Sequence, residues 1–185
     1  MNPADFAVDQ LARLLESIEP CNDSEAADVA RLRATIKAGD VYARTTPLHV
    51  TGSALVVHPA TRRVLLRWHP RMGMWMQVGG HFDADERDPL AVALREAREE
   101  TGLTDLRVLG HARPIQIVIV PVPAGRDEPA HEHADVRYVL ATDTPGAIVA
   151  ESDAARLQWL TLEDARTEIH EANLLELLDR LSRVL

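Results

Sequence analysis

Two apolar periods divide this chain. Residues 4–18 carry Phe6, Leu11, Leu14, Leu15 and Ile18 at helical spacing, and Pro20 closes the segment. Asn22 followed by Glu25 forms a capping-box pattern, which predicts a second helix continuing from Ala26 to Lys37 and stopping at Gly39. The apolar spacing of this prelude predicts packing against the main domain or a second subunit. From Leu48 the period shortens. His49–His58 and Val64–Trp68 read as a hairpin or two neighbouring strands, and residues 69–73 as a loop. Met74–Val78 is predicted to be a short strand that delivers Gly79 and Gly80.

Asp88 followed by Pro89 is a strong helix start, with an acidic cap and proline in the first turn, and Gly102 ends that helix. Leu106–Val108, Pro114–Val122, Ala134–Ala141 and Arg156–Leu160 read as strands, with a charged loop over Gly125–His133. Thr161 and Asp164 cap a short helix, and Ala172–Leu185 is an amphipathic terminal helix. Mixed strands flanked by helices predict the α/β class, as an α/β/α sandwich with a mixed sheet. The change of period divides the chain into a helical N-terminal extension, residues 1–38, and a main domain, residues 39–185.

Composition narrows the partners. The chain has 185 residues, enough for one well-buried domain, and a formal charge of −9 from 20 basic and 29 acidic side chains. No basic stripe suits a nucleic-acid polymer, whereas a small phosphorylated ligand can be accepted if a metal offsets the repulsion. The single cysteine, Cys21, forms no internal disulfide and fits a reducing compartment. Residues 1–10 lack the basic and apolar regions of a signal peptide, and no run reaches the roughly 20 apolar residues of a membrane span. The expectation is a cytoplasmic protein without membrane contact.

The predicted helix after Pro89 raises a question of charge. At 100 degrees per residue, Glu99 lies about 60 degrees to one side of Glu96 and Glu100 about 40 degrees to the other. Three carboxylates therefore share a face, and each like-charge pair costs roughly 0.2–0.5 kcal/mol. Leu90, Ala93, Leu94 and Ala97 make an adjoining apolar face that can anchor the helix on a sheet. Gly79 and Gly80 permit close backbone approach, so a carbonyl can join the carboxylates. Oxygen ligands of this kind suit Mg2+ or Mn2+. The alternative is an ordinary solvated helix face rich in good helix formers.

Read together, Gly80, Glu86, Arg95, Glu96, Ala97, Glu99, Glu100, Gly102 and Leu103 resemble the signature of the Nudix hydrolase family (MutT-like), with one extra residue between its two halves. The resemblance implies a Nudix-like sandwich that hydrolyses a diphosphate bond in a nucleoside diphosphate derivative or related small molecule, with Mg2+ or Mn2+ as cofactor. It implies that Glu99, Glu100 and the carbonyl of Gly79 bind the ions. Glu96 becomes a ligand or the residue that orients water, and Arg95 a structural partner of an upstream acid, Glu86 or Asp88. A ligand sensor without turnover and a diphosphate isomerase share the fold. The first usually lacks one of these glutamates, and the second needs a cysteine in its pocket, for which Cys21 is poorly placed.

Further acids in such a site are sought among Glu132, Asp135 and Glu151. His131, His133 and Asp135 alternate at the start of a strand and share one face, where they can bind substrate or metal or simply line a polar edge. Trp75 and Trp68 can stack on a base or fill the core, and Arg71, Arg113 and His69 can meet substrate charge or solvent. The leucines at 174, 175, 178 and 181 can face the chain's own sheet or a second copy in a homodimer.

Overall fold

The computed structural model describes residues 3–125 and 128–185, with backbone alone for residues 3–9. The Phe6 side chain and residues 126–127 of the charged loop thus lie outside what is described. Among the described residues the helices are α1 Pro3–Glu16, α2 Asp23–Ala38, α3 Pro89–Thr101, α4 Leu162–Glu168 and α5 Ala172–Leu181. The strands are β1 Leu48–His58, β2 Arg63–His69, β3 Met74–Met76, β4 Val78–His81, β5 Arg107–Val108, β6 Gln116–Val122, β7 His131–Ala141 and β8 Leu157–Thr161. All eight strands form one mixed sheet. Its centre is β1, which pairs in parallel with β7 and antiparallel with β2 and β4.

The sheet alternates as its sequence does. Val50, Ala54 and Val56 of β1 enter a core cluster with α1, α2 and α3, while Leu55 and Val57 enter a second cluster with α4 and α5. Helices thus cover both faces, and the sandwich is three-layered. Continued toward the start of β1, the alternation puts Ser53, Thr51 and His49 on the same face as Leu55. On β7, Asp135, His133 and His131 continue the face of Val139 and Ala141. One face of the sheet therefore turns from apolar to polar at a single end.

The terminal helix α5 stops at Leu181, four residues before the expected end at Leu185, and two strands differ from the sequence reading. The expected strand over Met74–Val78 is split into β3 and β4 at Gln77, and both glycines lie inside β4. Gln77 lies where the chain passes from pairing with β2 to pairing with β1, and its buried side chain donates to Asp135 at 3.0 Å. Strand β7 starts at His131, three residues before the expected start at Ala134, because β1 and β6 both pair with it there.

The N-terminal helices pack on the sheet. Leu11, Leu15, Val29, Leu32 and Ile36 share the first core cluster with β1 and α3. Asn22 caps α2 by accepting from Glu25 N at 2.8 Å. The Glu25 carboxylate accepts from the backbone N–H of Cys21 and of Ile117, each at 2.8 Å, and pairs with Arg180 of α5. Asp28 accepts from Ile119 N at 2.9 Å. Two acids of α2 thereby satisfy N–H groups along β6, which pairs with β7 on its other side. In α5, Leu174, Leu178 and Leu181 are buried in the second cluster and Leu175 packs against it, so that stripe faces the chain's own core.

Candidate active site

Helix α3 crosses β1 at Gly52, where an added Cβ would lie 2.5 Å from the Pro89 carbonyl oxygen and 2.9 Å from the Val92 Cβ. This close approach seats the apolar side of α3, with Val92, Ala93 and Ala97 fully buried. The same sheet-facing side also meets β4, the neighbour of β1. A Cβ on Gly80 would collide with the Glu96 carboxylate, and one on Gly79 would collide with Ser53. At Gly79 the β1 backbone excludes a side chain, whereas at Gly80 the Glu96 carboxylate would have to swing away from β4. Gly102, at φ 70°, ends α3 in the left-handed region.

Arg95 clamps the loop before α3. Its Nε and Nη2 donate to the two oxygens of Glu86 at 2.8 and 2.9 Å, and Nη2 also donates to the His81 carbonyl at 2.8 Å. Its Nη1 reaches Glu96 at 2.9 Å and Glu99 at 3.0 Å. The upstream partner is therefore Glu86, whose carboxyl the Arg95 hydrogen bonds hold below the usual range. Asp88, the other candidate, accepts from Leu90 N at 3.0 Å as the helix cap.

The three α3 carboxylates occupy unequal environments. Glu100 is 7% exposed. One of its oxygens accepts from Gly79 N at 3.0 Å, and the other lies 3.2 Å from Arg67 Nε. Burial pushes its carboxyl up to about 7, against the attraction of Arg67 and the Gly79 N–H, and the charges of Glu96 and Glu151 push the same way. Burial also raises Glu96, again against Arg95. Glu99 stands further out, with 58% of its side chain exposed. Glu151, from the loop before β8, meets Arg67 Nη2 at 3.2 Å, so Arg67 bridges it to Glu100.

Glu100, Gly79 and Gly80 open onto a cavity of about 360 Å3 at the polar end of the sheet. Arg44, Arg67 and Arg71 bring positive charge to its wall, and His69, His81, His131 and His133 bring imidazoles. At its floor Asp135, 4% exposed, accepts from Thr51, Ser53, Gln77 and Arg137 at 2.6–3.0 Å. Such a fully bonded carboxylate organises the cavity and has little capacity left for an ion.

The structure thus brings Gly79, Glu96, Glu100, Glu151, Arg71, His131 and His133 to one region. It does not bring Trp75 there. Trp75 is 8% exposed in the second core cluster, its ring edge-on to Trp68 at 5.5 Å and under the Arg156 guanidinium. The strand alternation that sends Met76 to the cavity sends Trp75 to the core. Glu132 pairs with Arg31 of α2, Arg113 is exposed away from the cavity, and Cys21 is exposed between α1 and α2. Sequence reasoning missed Arg67, whose place inside the apolar run Val64–Trp68 is a usable signal for a buried charge. It also missed His49 and His81, which carry no local signal.

The carboxylate set suits a hard divalent cation. Glu100 and Glu96 are crowded and raised, and hard cations favour oxygen donors of this kind.

Comparison with known proteins agrees with this arrangement. The family model described as the NUDIX domain matches residues 47–181. A protein named probable DHNTP pyrophosphohydrolase, from Lactococcus lactis subsp. cremoris (strain MG1363), is 30% identical over 104 residues, which are 56% of this chain and 60% of that protein. A NUDIX-family hydrolase structure from Clostridium perfringens is 26% identical at a TM-score of 0.55, covering 72% of this chain and 97% of the other. The C. elegans Ap4A hydrolase in a binary complex shares the fold at a TM-score of 0.58 and 20% identity, over 72% of this chain and 95% of the other. With a family match over most of its length and an α3–β4 site built on the signature residues, the chain belongs to the NUDIX-domain family.

Proposed function

We propose that this chain is a divalent-metal-dependent pyrophosphohydrolase that cleaves a diphosphate bond in a nucleoside diphosphate derivative or a related small molecule. The observation that carries the reading is the crowding of Glu96 and Glu100 against the Gly79–Gly80 backbone at the mouth of a cavity lined by arginines. The names of two relatives, a probable DHNTP pyrophosphohydrolase and an Ap4A hydrolase, support the same bond class. The main domain of this reading begins after residue 38, and the family match from residue 47 supports that division.

Glu96, Glu99, Glu100, Glu151 and the Gly79 carbonyl are the groups that would hold Mg2+, with Mn2+ as the alternative. When bound, the cation neutralises charge on phosphate oxygens. The protein's own residues do the rest. Arg95, locked by Glu86, fixes the loop and the start of α3, so the carboxylates stay in register with β4. Arg67 balances Glu100 and Glu151 and stands where phosphate charge would enter. Glu96 or Glu100, both raised by burial, takes the proton from an attacking water. Arg71 and Arg44 meet the remaining negative charge of the ligand at the cavity wall.

Helices α1–α5 include none long and apolar enough to cross a membrane among the described residues. A small-molecule substrate and a cytoplasmic setting agree with the acidic charge. The test is a screen of nucleoside diphosphate derivatives, dinucleoside polyphosphates and pterin triphosphates with Mg2+, in which the phosphomonoester, nucleotide or pyrophosphate products are resolved by chromatography. Mg2+-dependent turnover of at least one compound is expected, and binding without turnover across the whole panel would favour a sensor.

A further inference from the structure

Four histidines converge at the polar end of the sheet. They are His49 of β1, His81 at the end of β4, and His131 and His133 of β7. The register explains the meeting: His49 stands opposite His133 in the parallel β1–β7 pair, and Thr51 stands opposite His81 in the β1–β4 pair. One ring nitrogen from each lies within 4.8 Å of all the others. The His133 Nε2 is 3.1 Å from the His81 Nε2 and 3.0 Å from the His131 Nε2.

Two rings are fixed from behind. The Nδ1 of His49 lies 2.7 Å from the Thr46 carbonyl oxygen, and the Nδ1 of His131 lies 2.9 Å from the Pro129 carbonyl oxygen. A carbonyl only accepts, so each Nδ1 carries its hydrogen and each neutral ring presents a bare lone pair at Nε2. The His49 Nε2 is buried and has no hydrogen-bond partner. A single hydrogen on the His133 Nε2 cannot make two full bonds to His81 and His131 while also meeting His49. The cluster therefore carries more converging lone pairs than its own protons satisfy.

We propose that His49, His81, His131 and His133 form a tetrahedral site for a Zn2+-class divalent transition metal, separate from the α3 carboxylates and coordinatively closed. Zn–N bonds of 2.0–2.1 Å in a tetrahedron require nitrogen separations of about 3.3–3.4 Å. The shorter pairs, at 3.0 and 3.1 Å, need to open by only a few tenths of an ångström. All-imidazole coordination selects Zn2+, Cu2+ or Ni2+ over the oxygen-seeking Mg2+. The Thr46 and Pro129 carbonyls supply the backing hydrogen bonds that orient metal-binding imidazoles. The ion would tie together the ends of β1, β4 and β7, immediately beside Gly80, which meets Glu96.

The test uses the full chain without a polyhistidine tag, stripped by chelator and then titrated with Zn2+ under excess Mg2+. One Zn2+ per chain should be retained and should raise the melting temperature. The Co2+-substituted protein should show the intense visible bands of tetrahedral coordination. His131→Ala should lower Zn2+ affinity at least tenfold and His133→Ala should abolish retention. His170→Ala, at an exposed histidine outside the cluster, and Glu100→Gln should both retain the ion. Absence of saturable Zn2+ uptake, octahedral Co2+ bands, or wild-type retention in folded His131→Ala and His133→Ala proteins would overturn the proposal. The Co2+ spectrum of the unaltered chain decides the coordination even where a variant fails to fold.

Discussion

Replacing Glu100 by glutamine should move stability and activity in opposite directions. In the metal-free protein the Glu100 carboxyl is pushed from 4.5 to about 7, chiefly by burial. That rise corresponds to roughly 3 kcal/mol against the ionised form. The sign follows directly. Below the unfolded value both states are protonated and nothing is lost. Between 4.5 and about 7 the unfolded chain releases its proton first, so wild-type stability falls as pH rises and levels off above the folded value. Glu100→Gln keeps an acceptor for the Gly79 N–H, and Arg67 keeps Glu151. The metal-free variant should therefore match wild type near pH 4 and exceed it at pH 8 by about 1–3 kcal/mol, or roughly 2–10 °C in melting temperature. With Mg2+ the order reverses, because the variant lacks a negative ligand. Turnover should fall about a hundredfold, equivalent to about 3 kcal/mol. Thermal melts with and without chelator at both pH values, beside steady-state rates, measure all of this. A variant no more stable than wild type at pH 8, with unchanged Mg2+ affinity and rate, would refute the reasoning.

Three further outcomes are expected. Arg95→Lys should not restore what Arg95→Ala loses, since one ammonium cannot span both Glu86 oxygens and the His81 carbonyl; a rate assay of the two variants checks this. Glu25→Ala should cost about 1–3 kcal/mol in urea unfolding, because it leaves the buried Ile117 N–H without its acceptor while Arg180 keeps Glu176; an unchanged stability would refute that estimate. Burial holds His81 near 3 and His133 near 4, so the unfolded chain takes up protons first as pH falls below 6.5. Metal-free stability should therefore drop from pH 7 to pH 5, a trend that His81→Asn should weaken.

The local periods made most of the sandwich readable from sequence. Asp88–Pro89 and Gly102 mark α3 to within a residue, and Asn22 marks the start of α2, because caps are local chemistry. The carboxylate face was legible for the same reason: Glu96, Glu99 and Glu100 sit on one helix, whose geometry fixes their spacing. What a helical projection cannot supply is the third dimension. It ranks the three acids alike, whereas contact with β4 buries Glu96 and Glu100 and leaves Glu99 with Arg95. The histidine cluster depends on a parallel β1–β7 pairing across more than eighty residues, so His49 and His81 were invisible until the register was known. The choice between base stacking and core for Trp75 stayed open for a related reason, since so short a strand gives too little alternation to choose a face.

The central claim is that the α3 carboxylates act with a bound divalent cation on a diphosphate bond. The most direct measurement is turnover of the best substrate from the chromatographic product screen by chelator-treated protein, before and after Mg2+ is restored. The account predicts no turnover without metal, recovery with Mg2+, and no comparable recovery in the folded Glu100→Gln protein. Full turnover by rigorously chelated wild-type protein would contradict it.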